Sequence, residues 1–144
     1  MRHEKYAIFV KNNTIMGYTI LSASQFTSKL KATIHTSGKL GFTEATAKEL
    51  GFGENTDNFI QFAQDDENKE ILYLINDTVD DGDSFRISKA GKYYYVNSKL
   101  LFDSLGIDYV NQTVIFDMIK IKIGDKEMYK MTPRMIKKSK QEIE

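Results

Sequence analysis

Apolar and polar positions alternate through much of the chain. Leu30, Ala32 and Ile34 share one side of residues 30–34, and Ile71, Tyr73 and Ile75 alternate in the second arm of a pair of runs. In "KYYYV", Tyr93 and Tyr95 fall on one side and Tyr94 on the other. A period of two is that of a strand. It predicts an opening hairpin from "KYAIFV" (5–10) and "IMGYTIL" (15–21) about the turn "KNNT". Strands follow at "LKATIHT" (30–36) and at Lys39 to Phe42, then a hairpin of "NFIQFAQ" and "EILYLI" joined by "DDENK". Later strands are "SFRIS", "KYYYV", "TVIFDMIKIKI" and "KEMYKM", the last two meeting at "GDK".

Two short helices interrupt the strands. Thr43 reads as an N-cap with Glu44 in the first turn, and Gly51 can take the left-handed conformation that closes a helix over 44–50. Asn97 is the expected cap of a second helix over 98–105, closed by Gly106 and Ile107. Pro133 is expected to end the ordered pattern, leaving 134–144 as a frayed helix or tail.

"SGKLGFTEATAKELGF" (37–52) returns as "AGKYYYVNSKLLFDSLGI" (90–107). One such unit cannot bury both faces of its strands, whereas two can complete each other. The expected fold is therefore mainly β (α+β), with two β-β-α-β-β repeats forming a pseudo-twofold β-barrel with short helices outside. The chain divides into an N-terminal hairpin and connection (1–30), repeat 1 (31–76), repeat 2 (84–132) and a basic tail (133–144), in one compact domain.

The repeat resembles the AbrB/SpoVT family of swapped-hairpin barrels, on Gly38, Lys39, Leu40, Phe42, the helix start at Thr43, Leu50-Gly51-Phe52, Asp57 and the hairpin that follows. The likeness covers 31–75 well and 84–131 more loosely. It implies a tandem, single-chain version of what that family builds as a dimer, and DNA binding or an antitoxin role. Thr43 and Val96 stand where the family usually has proline, and Lys39 and Lys92 where it commonly has arginine. Whirly and Pur-alpha proteins are a second, weaker likeness.

With 144 residues, 41% of them hydrophobic, the chain can bury a core, and no apolar run reaches membrane-spanning length. It has no cysteine, which excludes disulfides and thiolate chemistry and fits a cytoplasmic location. Twenty bases balance twenty acids, but unevenly along the chain. The stretch 65–83 holds eight acids against Lys69 alone, and 126–140 holds six bases against Glu127 alone. Either could hold a protein partner.

Catalysis finds no constellation. His3 and His35 lack neighbours at ligand or triad spacing, and the loop "DTVDDGD" (77–83) fails an EF-hand at its carboxylate positions, Val79 and Ser88. No cofactor, metal or catalytic residue is expected. The chemistry lies around "FRISKAGKYYYV", where basic groups can neutralise phosphates beside a ring on which bases stack. Lys31, Lys39, Arg86, Lys89 and Lys92 are the expected phosphate contacts, with His35 as a further group, and Tyr94 is the expected stacking residue. The expected function is a non-catalytic DNA- or RNA-binding protein, a transcriptional regulator or single-strand binder, in which both Gly-Lys turns lie side by side. The alternative is a protein-interaction module, antitoxin-like or a phage assembly factor, with no nucleic-acid contact. The expected state is a monomeric pseudo-dimer or a homodimer.

Overall fold

In the computed structural model of the chain the described residues are 14–15, 17–23, 30–54, 58–77 and 82–138. A small hairpin of β1 (Thr14–Ile15) and β2 (Tyr18–Thr19) stands first, with Ile15 opposite Tyr18. Its turn passes through Gly17, at φ 85°, and so falls inside the run read above as a single strand. The strand expected at 5–10 lies outside the described residues.

The rest is β3 (Leu30–Ile34), β4 (Lys39–Phe42), α1 (Glu44–Leu50), β5 (Phe59–Gln64), β6 (Leu72–Asp77), β7 (Phe85–Ala90), β8 (Tyr93–Asn97), α2 (Lys99–Ser104), β9 (Gln112–Ile123) and β10 (Lys126–Lys137). Eight antiparallel strands close a barrel in the order β10-β6-β5-β7-β8-β4-β3-β9. The pairing exchanges the halves symmetrically. β4 pairs with β8 and β6 with β10, while β5 pairs with β7 as β9 does with β3. The second hairpin of each half therefore never pairs with the first hairpin of its own half. It is inserted into the other.

Inward positions make a dry core that includes Leu40, Ile60, Leu74, Val96, Phe116 and Met131, all at most 1% exposed. Each such side chain contributes about 1.5–3 kcal/mol by leaving water. On β6 the buried face is Leu72 and Leu74, with Tyr73 and Ile75 half-buried on the other side. The helices cross the two openings. Thr43 accepts the Thr46 N–H at 3.3 Å, and Gly51 closes α1 at φ 76°, as its sequence requires. Thr46 ties α1 to β3, accepting the Lys31 N–H at 2.7 Å and donating to the Lys31 carbonyl at 3.0 Å. α2 inserts Phe102, fully buried and 6.2 Å from the Phe116 ring.

Two boundaries differ from expectation. Ser98, rather than Asn97, caps α2, and its hydroxyl is turned away from the helix to the Gly38 carbonyl. Pro133 does not end the order, because β10 continues to Lys137. Pro133 lies beyond Met131, the last residue paired with β6, where one edge of the strand is open and a missing N–H is tolerated.

Candidate nucleic-acid interface

Because β4 and β8 run antiparallel, with Lys39 opposite Asn97 and Phe42 opposite Tyr94, the two Gly-Lys turns sit at opposite ends of this strand pair. The paired-turn surface expected from the sequence is therefore absent. Between the turns lies the outer face of β4 and β8. The expected site residues divide between that face and the opening beneath α1.

On the outer face, strand alternation directs Lys31 and Thr33 of β3, Lys39 and Gly41 of β4, and Tyr93, Tyr95 and Asn97 of β8 outward. Arg86, Ser88 and Ala90 of β7 continue it. None of these outward positions carries an acid. Tyr93 and Tyr95 are stacked, with ring centroids 6.2 Å apart and planes 21° from parallel. The Lys39 ammonium stands 4.7 Å from the Tyr95 centroid, a cation–π contact worth about 0.5–1 kcal/mol at an exposed position. The phenol of Tyr93 crosses Gly41 and hydrogen-bonds the His35 imidazole. Desolvation pushes the Tyr93 hydroxyl above its ordinary pKa, so it is protonated at neutral pH.

Acidic groups begin at the border. Asp117 of β9 lies 3.4 Å from Lys31 and accepts hydrogen bonds from Arg134 at 2.5 and 3.3 Å. Partial burial pushes the Asp117 carboxyl up, but the Arg134 hydrogen bond and the charges of Arg134 and Lys31 outweigh it and hold the group below its usual value.

Lys89, Lys92 and Tyr94 belong to the opening beneath α1. Tyr94 is half-buried against Phe52, centroids 5.9 Å apart, with its hydroxyl over Gly53 and the Lys89 ammonium 5.6 Å from its ring centre. A groove of about 850 Å³ runs between α1 and the β7–β8 turn, edged by Lys48, Lys89 and Lys92 and also by Glu44 and Glu54. Tyr93 lines this groove as well and so joins it to the outer face. The other Gly-Lys turn has no such space, since Gly38 packs directly on Lys99.

Sequence reasoning ranked Tyr94 above Tyr93 and Tyr95 and missed Gly41 and Lys48. The alternation of "YYY" had already grouped the outward pair, of which Tyr93 is exposed and Tyr95 half-buried, and a glycine inside a strand is a signal that another group crosses it closely. Of the acidic stretch, Asp65 is spent on its own turn. It accepts the Tyr73 hydroxyl at 2.6 Å and the Asn68 N–H at 2.8 Å, which hold its carboxyl below the usual range. Positions 78–81 lie outside the described residues. Among the described residues no cluster of three or more His, Asp or Glu is placed to hold a metal, and no helix is long and apolar enough to cross a membrane.

No protein-family model matches the chain, and no curated protein or solved structure matches it at a significant level.

Proposed function

We propose that the chain is a non-catalytic nucleic-acid-binding protein that holds a single strand on the outer face of β3, β4, β8 and β7. The observation carrying this reading is the stacked Tyr93–Tyr95 pair on a face whose outward β3, β4, β7 and β8 positions include Lys31, Lys39 and Arg86 and no acid, with Asp117 of β9 at its border against Lys31. Stacked phenols offer bases a surface without selecting among them, and the cations on either side sit where phosphates would run. The strand would continue past Tyr93 toward Lys92 and Lys89. The interleaved hairpins support reading the fold as a tandem relative of the AbrB/SpoVT barrels.

Anisotropy titrations of labelled oligo-dT and of a matching duplex, at two salt concentrations, test it. Three phosphate contacts on a single strand give a log–log salt slope of about −2. Binding that is absent, or that ignores salt, overturns the reading.

One observation favours the second reading, a protein-interaction module. Past Met118 and Tyr129, β9 and β10 pair only with each other among the described residues. This two-stranded ribbon presents Ile119, Ile121 and Ile123 on one face, with Ile119 and Ile123 55% and 56% exposed. Capture of a protein partner that is lost in Ile119→Lys and Ile123→Lys, without nucleic-acid binding, selects it.

A further inference from the structure

The openings of the barrel are closed differently. At the α1 end, β6 and β10 fasten the last turn of the helix. Asn76 donates to the Leu50 carbonyl at 2.8 Å, and the Tyr129 hydroxyl donates to Glu49 at 3.1 Å. At the α2 end the same two strands present Leu72 and Pro133 to the turn Leu105-Gly106-Ile107. Neither side chain can donate a hydrogen bond, and neither reaches as far as a tyrosine. A cavity of about 280 Å³ remains, floored by Leu72, Leu105, Ile107, Phe116 and Pro133, with the exposed Met135 at its mouth.

We infer that this cavity is a binding site for a small, uncharged, ring-containing ligand, independent of the nucleic-acid face. Size sets the first limit. An aliphatic cavity of about 150 Å³ admits benzene, so this one has room for a fused two-ring molecule. Charge sets the second. No ionisable side chain contributes to the floor, and the rim carries both signs in Lys69, Glu70 and Asp108. Asp108 is already engaged, accepting the Asn111 backbone N–H at 3.0 Å and its side-chain amide, contacts that hold the carboxyl below its usual range. An ion entering the floor would lose water with nothing to replace it. At the mouth Gln64 donates to the Lys69 carbonyl at 3.0 Å and Gln112 donates to Asp108, so it is their amide oxygens that can accept from one polar group of the ligand.

Indole is a suitable probe, read by thermal unfolding and by methyl NMR of the full chain. At a tenfold excess over its dissociation constant it raises Tm by about 3–5 °C. The methyl signals of Leu72, Leu105, Ile107 and Met135 shift with it. Leu72→Tyr, which puts at this end the residue that fills the other, abolishes both responses. If that variant does not fold, Met135→Phe at the mouth weakens them instead. No Tm change in the natural sequence overturns the proposal. So does a response that survives both substitutions, or methyl shifts confined to Ile119 and Ile123.

Discussion

The phenol of Tyr93 lies across Gly41, two strands meeting where one has no side chain, and reaches the imidazole of His35. A methyl group at position 41 would collide with the phenol and with the His35 ring nitrogen, both far ends of side chains that can swing aside together. Gly41→Ala is therefore expected to change stability by less than about 1 kcal/mol, since alanine is no worse than glycine in a strand. It should still lower single-strand affinity by displacing Tyr93. Chemical denaturation and anisotropy on the same variant separate the two effects.

Tyr93→Ala and Tyr95→Ala remove the stacking surface directly. Loss of one base–aromatic stack costs about 1–3 kcal/mol, so each variant should bind oligo-dT roughly 5- to 150-fold more weakly. Tyr94→Ala should act mainly on stability, because its ring packs on Phe52. Equal binding losses at all three positions would place the contact elsewhere.

Asp117→Asn should strengthen nucleic-acid binding, by freeing Lys31 and Arg134 from the one carboxylate that holds both. The stability cost is modest, about 0.5–1 kcal/mol for such partly exposed pairs. Because the folded carboxyl titrates below its ordinary value near 4, its contribution is present above that pH and disappears as pH falls through the folded value. Acid unfolding curves of the natural sequence and the variant should converge at low pH.

Tyr129 works in the opposite direction. Burial, then the hydrogen bond to Glu49, raises its pKa to about 12. Its contribution is complete below the unfolded value near 10 and is lost between there and about pH 12. Tyr129→Phe should cost about 1–2 kcal/mol at neutral pH and flatten this alkaline decline, measured by urea unfolding at several pH values.

Phe102→Ala should cost about 3–5 kcal/mol, as its ring fills the opening beside Phe62 and Phe116. Leu100→Ser, in the same helix but 83% exposed, should be nearly silent.

Local signals carried most of the fold. Thr43 and Gly51 bound α1 through local capping chemistry, and alternation located eight barrel strands because each turns one face toward the core. What depended on distant contacts was not legible. The direction in which β8 meets β4 is set by closure of the whole ring, and only that direction decides where Gly38 and Gly91 lie. Asn97 is as good a cap as Ser98 until Gly38 supplies a competing acceptor. Pro133 looks terminal unless β6 is known to stop short of it. For the candidate face, residue types were readable and their grouping was not. Lys31 and Lys89 look alike in sequence, yet one points outward beside Asp117 and the other lies at the opening over Tyr94.

The interleaving of the two hairpins has a cost during synthesis. β3 finds β9 only when Leu30 meets Met118, so the first half leaves the ribosome with open sheet edges and no strand able to cover them. A chain truncated after β6 should not be a smaller folded domain. It should be sticky, pairing with a second copy of itself or precipitating, until its other half is supplied.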